Sequence, residues 1–136
     1  MTYLLDTNVC IRILTNSHHL VTLVTQKFSS LGAARIAICS VVKAELYYGA
    51  RKSPRQGANH LAINKFCNPL LSLPFDDSAA HCYGQIRAQL ESVGSPIGPN
   101  DLFIASIAIF NGLILAKNDT REFSRVAGLQ IEDGEI

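Results

Sequence analysis

Asp6, Glu45, Asp101 and Asp119 are the residues of this chain best suited to chemistry: four carboxylates, each where an apolar run ends or a helical stretch begins. Gathered at one point, they would form an oxygen-lined pocket for a divalent metal ion and a phosphate group. Two carboxylates about 5 Å apart repel by roughly 3 kcal/mol at an effective dielectric of about 20, so a cluster of four requires cations. Oxygen ligands without a His or Cys partner favour Mg²⁺ or Mn²⁺ over zinc. His18, His19, His60 and His81 lack metal-ligand spacing, and the adjacent pair reads as a polar loop or helix end. One or two ions would activate a water and hold a scissile phosphate, with Asp6, Asp101 and Asp119 as ligands and Glu45 as a ligand or the base that orients the water. Each acid also has a plainer reading: Asp6 as a helix cap, Asp101 as a complement to a helix dipole, Asn118-Asp119-Thr120 as a turn, Glu45 as a solvated helix residue.

Whether the acids meet depends on the elements that carry them. Apolar runs at residues 3–5, 35–39, 73–75 and 113–117 read as strands, with a less marked fifth at 129–131. The stretch 77–93 repeats Ala79, Tyr83, Ile86, Leu90 and Val93 at helical spacing, with Asp76 or Asp77 as its N-cap and Gly94 as its stop. Residues 102–110 are apolar nearly all round, as in a helix buried on several sides, entered at Pro99 and Asn100 and left at Gly112. Residues 53–57 read as a turn between helices and 94–99 as a loop. Strands alternating with helices over short connections give an α/β, doubly wound sandwich with a central parallel sheet of about four to five strands flanked by helices. In that arrangement strand C-termini and helix N-termini share one edge. Asp6 follows the first strand, Asp119 follows the fourth, Glu45 sits in the second turn of the helix opened by Ser40, and Asp101 begins the helix before the fourth strand. All four therefore reach the same edge.

The 136 residues fit one domain spanning 1–136. With 48% hydrophobic and 17% charged residues and no low-complexity tract, a rather apolar globule is expected, part of whose surface is covered by a partner. The apolar stretch 102–116 is interrupted and falls short of the ~20 residues a membrane span needs. Without a signal-like start, the chain is expected in the cytoplasm. Cys10, Cys39, Cys67 and Cys82 show no CxxC pairing and read as buried reduced thiols. A net charge of +1 gives no global pull on a polyanion, so any grip on one must be local. No P-loop, Gly-rich dinucleotide fingerprint or Ser/His/Asp arrangement supports an NTPase, a dehydrogenase or a covalent hydrolase.

Four segments in this order carry a resemblance: Leu4-Leu5-Asp6-Thr7-Asn8; Ser40-Val41-Val42-Lys43-Ala44-Glu45-Leu46 on to Gly49; Ile97-Gly98-Pro99-Asn100-Asp101-Leu102-Phe103-Ile104-Ala105; and Asn118-Asp119-Thr120-Arg121-Glu122-Phe123. Together they resemble the PIN-domain family and, within it, the VapC toxins of bacterial type II toxin–antitoxin systems. The resemblance implies a PIN-like fold and a Mg²⁺-dependent endoribonuclease in which Mn²⁺ can substitute. It also implies a homodimer silenced by a cognate VapB-like antitoxin, through which alone it would meet DNA. Asp6, Glu45 and Asp101 match the family's three most regular acidic positions, and Asp119 matches the variable fourth, with Glu122 or Asn118 as substitutes. Thr7 matches a small hydroxyl residue that supports the first acid. The substrate class implied is RNA, foremost tRNA, with the anticodon stem-loop of the initiator tRNA suggested by the ending from Thr120 to Asp133. Lys43, Arg51, Lys52 and Arg55 on or after the Glu45 helix, and Arg87, are candidates to grip phosphates, although cations also stabilise helix C-termini and Arg87 would equally suit a surface ion pair. Leu46-Tyr47-Tyr48 reads either as core or as a seat for an antitoxin helix. Two alternatives stand beside this reading: a catalytically silent PIN-like binding module, and a receiver-like phosphoacceptor domain in which Asp76 takes the phosphate and Lys117 assists.

Overall fold

The computed structural model describes residues 2–15, 32, 35–117 and 121–133. Along them run β1 (Tyr3–Leu5), α1 (Thr7–Leu14), β2 (Ile36–Cys39), α2 (Ser40–Lys52), α3 (Gln56–Cys67), β3 (Leu71–Leu73), α4 (Asp77–Ser92), α5 (Pro99–Phe110), β4 (Ile114–Lys117), a 3₁₀ turn (Phe123–Arg125) and β5 (Gln130–Asp133). The strands form a five-stranded sheet in the order β3-β2-β1-β4-β5, every pair parallel. β2 and β4 are buried at every residue, as strands covered by helices on both faces must be. The expected α/β, doubly wound sandwich is the architecture found.

The strand order carries the functional geometry. From β1 the chain winds outward through β2 to β3, then returns past β1 to build β4 and β5 on the other side. The reversal falls between β1 and β4, and it is at such a switch point that the carboxyl edge of a parallel sheet opens a crevice.

Helix α5 anchors the molecule. Ile104, Ala105, Ile107 and Ala108 join the main core around the sheet, while Leu102 joins a second cluster with Ile86, Leu90, Ile97 and Val126. Being apolar on nearly every side thus reflects contact with both layers. Its buried Ser106 hydroxyl donates to the Leu102 carbonyl at 2.6 Å, so no polar group is stranded there. Pro99 opens the helix, where its missing N–H costs nothing, and Gly112, with φ +64°, turns the chain into β4.

Three expectations need correction. The third strand occupies Leu71–Leu73 rather than 73–75, because Pro74 has no N–H to donate to the neighbouring strand and the chain then leads into the Asp76 cap. Val93, placed on the buried face of α4, is 62% exposed, since at the C-cap the backbone has left the helical rotation. The turn expected at 53–57 is shorter, with α3 already under way at Gln56 and Ser53 Oγ accepting from Arg55 N and Asn59 Nδ2. Cys10, Cys39 and Cys67 are buried free thiols whose pKa burial raises, which makes them poor nucleophiles. No helix among the described residues is long and apolar enough to cross a membrane.

Candidate active site

Parallel pairing of β1 with β4 sets Leu5 opposite Ala116, and Asp6 N continues the ladder by donating to Ala116 O at 3.0 Å. The next residues of the two strands, Asp6 and Lys117, are thereby brought side by side at the switch point. Asp6 holds the N-cap position of α1, yet its carboxylate caps no helix N–H. Instead Asp6 Oδ2 accepts from Lys117 Nζ at 3.3 Å, in a site where Asp6 is only 3% exposed. The plain helix-cap reading of Asp6 therefore does not hold.

Asp101 enters from the first turn of α5, with Oδ1 3.9 Å from the same ammonium. Burial, then a hydrogen bond with Glu122, raise its pKa to about 6, while Lys117 works in the opposite direction. The Glu122 carboxyl lies beside Asp101, and its approach, like burial, favours the protonated form of Asp101. Glu122, expected only as a substitute for the fourth acid, is thus an established neighbour of Asp101. Lys117 was expected only as the assisting residue of the receiver-like alternative, not beside the acids of a nuclease site. Its signal in the sequence is a lysine ending an otherwise apolar strand at the edge where Asp6 ends another.

Thr7 follows Asp6, and its Oγ1 is buried without a hydrogen-bond partner. An unsatisfied buried hydroxyl costs roughly 1–3 kcal/mol, which marks a place suited to a polar guest. Glu45 comes from a different helix. It is half-buried on α2 and lines a groove of about 470 Å³ with Ser40, Val41, Ala44, Tyr48, Asn100 and Phe103. Both Asp6 and Glu45 bear electrostatically on the Cys39 thiol, whose pKa is raised first by burial, so the two acids flank the end of β2. Asp119 and Asn118, together with Thr120, His18 and His19, lie outside the described residues. Among the described residues, no three His, Cys, Asp or Glu side chains already close into a metal-binding group. What is present is the buried Asp6 carboxylate and the half-buried Asp101 carboxyl with an ammonium near both, Glu122 beside Asp101, and an orphaned hydroxyl. The all-oxygen donor set fits a hard divalent cation.

The candidate phosphate-gripping residues divide. Lys52 lies 5.2 Å from the centre of the exposed Tyr48 ring, beside the Glu45 groove. Lys43 donates to Ser72 Oγ at 2.8 Å. Arg51 borders a separate cavity with Gln56, Gly57 and His60, and Arg55 is exposed just before α3. Arg87 pairs with Glu91 at 3.0 Å and donates to Tyr83 OH, as its surface ion-pair reading anticipates. Leu46 is buried and the Tyr47 hydroxyl donates to Asn64, whereas Tyr48 is 65% exposed, so the stretch is part core and part groove wall. Asp76 accepts from Ala79 N at 2.9 Å as the cap of α4, which leaves the receiver-like reading without its phosphoacceptor.

A parallel five-stranded sheet bearing an acidic pair at its switch point defines a class, and the chain belongs to it: it is a member of the PIN-domain family, which matches residues 3–129. Within the family its relatives are VapC proteins. It is 42% identical over 131 residues to the tRNA(fMet)-specific endonuclease VapC of Shigella flexneri and 39% identical over 132 residues to that of Salmonella typhimurium, each alignment covering 96% of both chains. Among solved structures it resembles DNA-bound VapBC from Salmonella typhimurium (TM-score 0.90, 38% identity, 98% of both chains). It likewise resembles VapBC2 from Rickettsia felis bound to a promoter DNA fragment (TM-score 0.87, 34% identity, 97% of this chain and 98% of that one).

Proposed function

We propose that this chain, a single PIN domain, is the endoribonuclease toxin of a type II toxin–antitoxin pair, acting in the cytoplasm with Mg²⁺ or Mn²⁺. The observation that carries the reading is the pairing of the buried Asp6 with the half-buried Asp101 around one ammonium at the β1/β4 switch point, where the Asp6 carboxylate caps no helix. Kinship with relatives named tRNA(fMet)-specific endonuclease supports tRNA as the substrate class and the initiator tRNA, at its anticodon stem-loop, as the first candidate. Likeness to VapBC complexes supports a VapB-like antitoxin as partner; in this reading the toxin works as a homodimer and meets DNA only through the antitoxin.

Asp6 and Asp101 would hold the metal, with Asp119 completing the set and Glu122 beside Asp101. The ion would supply Lewis-acid stabilisation of the phosphate and a nucleophilic water at neutral pH. Thr7 offers its free hydroxyl to orient the Asp6 carboxylate or a water in the site. Glu45, on the groove wall, is placed to take a proton from a water entering along that side. Tyr48 and Phe103 give the groove apolar surface on which an unstacked base can lie, and Lys52 adds charge beside it.

The test is cleavage of total cellular RNA by antitoxin-free protein with Mg²⁺ or Mn²⁺, mapping each new end, beside Asp6→Asn and an EDTA control. Discrete metal-dependent ends in one tRNA, lost in the variant, are the expected result. Identical patterns from wild type and variant would remove the catalytic reading and leave a binding module.

A further inference from the structure

Lys117 has no role in the nuclease reading given above. It ends a strand whose other residues are apolar, is 8% exposed, and holds its ammonium 3.3 Å from Asp6 Oδ2 and 3.9 Å from Asp101 Oδ1. The ammonium also lies 4.6 Å from the centre of the Phe123 ring, itself fully buried in the 3₁₀ turn. A lysine on a free surface keeps its head in water; this one is fixed by two carboxylates, an aromatic face and the strand register.

We propose that Lys117 is a resident counter-ion of the acidic site, which neutralises Asp6 and Asp101 in the metal-free protein and weakens their binding of a divalent ion. The inference rests on the metal-dependent reading above and adds to it a competitor built into the chain. A cation entering between Asp6 and Asp101 meets a positive charge already hydrogen-bonded to one of them. Binding therefore requires the ammonium to withdraw, or the ion to sit off to one side under its repulsion. In either case the lysine raises the metal concentration needed for occupancy, while sparing the empty site the repulsion of two neighbouring carboxylates.

The experiment is Mn²⁺ titration of the purified full chain, followed by calorimetry and by the spin-resonance signal of free Mn²⁺, on wild type, Lys117→Met and Lys117→Arg. Thermal unfolding in EDTA and in Mn²⁺ accompanies it. Lys117→Met keeps an unbranched stem and removes the charge; it is expected to bind Mn²⁺ about tenfold or more tightly. Its melting temperature should fall in EDTA and rise more than that of wild type on adding Mn²⁺. Lys117→Arg, which keeps the charge, should remain near wild-type affinity. A lysine that merely props the site open predicts the reverse, weaker Mn²⁺ binding in Lys117→Met, and that result overturns the proposal, as does equal affinity. If Lys117→Met does not fold in EDTA, Mn²⁺ must restore its fold and Lys117→Gln must show the tighter binding; failure of either also overturns it. Absence of Mn²⁺ binding in every chain, wild type included, would instead overturn the metal-dependent reading itself, and the counter-ion role with it.

Discussion

Replacing Asp101 by Asn should stabilise the metal-free protein, and the size of the gain can be worked from the site. The carboxyl of Asp101 has its pKa raised from 3.8 to about 6, first by burial and then by the hydrogen bond with Glu122. Two units at 1.36 kcal/mol each would be about 3 kcal/mol. The side chain keeps 26% of its surface in water, so solvent screening reduces this to roughly 1–2 kcal/mol. The sign follows from linkage. An acid whose folded pKa is raised binds its proton more readily folded than unfolded, so its stabilising share is complete below about 3.8 and is lost as pH rises through about 6. Asn is neutral at every pH and its amide N–H can donate to Glu122 where the protonated carboxyl did. Wild type and Asp101→Asn should therefore be nearly equal near pH 4, and the variant should lead by about 1–2 kcal/mol above pH 7, or roughly 3–8 °C in Tm for a domain of this size.

Urea unfolding in EDTA at steps from pH 4.5 to 8 measures the difference directly. Saturating Mg²⁺ should reverse the order, because a ligand at a hundred times its Kd adds about 2.7 kcal/mol to the form that binds it, and only wild type keeps both acids. A variant less stable than wild type at pH 8 in EDTA, or a gap that does not change with pH, would refute the claim that burial of the Asp101 charge is what the fold has to offset.

Two further substitutions test the surroundings of the site. Asp76→Ala removes the cap that accepts from Ala79 N and should lower stability by about 1 kcal/mol with RNA cleavage unchanged; loss of cleavage at full stability would return Asp76 to a chemical role. Phe123→Leu takes the aromatic face from beneath Lys117 in a fully buried position and should cost about 1–3 kcal/mol, read as a lower urea midpoint at constant slope. An unchanged midpoint would mean that the ring neither fills the core nor holds the ammonium.

Much of this was legible before any coordinates. Strand runs bounded by helical patterns are enough to predict a parallel sheet, and a parallel sheet is enough to bring Asp6 and Asp101 to one edge. The boundaries that shifted did so for local reasons that periodicity does not register: a proline without a donor at 74, and a cap residue at 93 where helical rotation has stopped. Which acids touch was not legible. Glu122 approaches Asp101 through a 3₁₀ turn whose residues carry no periodic pattern, and Glu45, on the same edge by topology, lines a groove wall with Tyr48 and Phe103. Lys117 was hidden for a different reason. Its partner lies 111 positions away in the chain, and only the register of β4 against β1 makes them neighbours.

That register explains how an acidic site can be built into a fold that must also stand without metal. Repulsion between buried carboxylates is met here by several devices, each from a different element. Lys117 at the end of β4 supplies a whole positive charge between Asp6 and Asp101. Burial and the approach of Glu122 favour the protonated form of Asp101, which carries no negative charge. The N-termini of α1 and α5, where Asp6 and Asp101 sit, add the partial positive charge of their unpaired N–H groups. A divalent ion would stand in for the ammonium and favour the ionised form of Asp101 while the helix N-termini keep their charge, so metal would exchange one set of compensating charges for another. The orphaned Thr7 hydroxyl is the group that this exchange leaves unaccounted for in the metal-free state, and it lies beside the carboxylate that the ammonium holds.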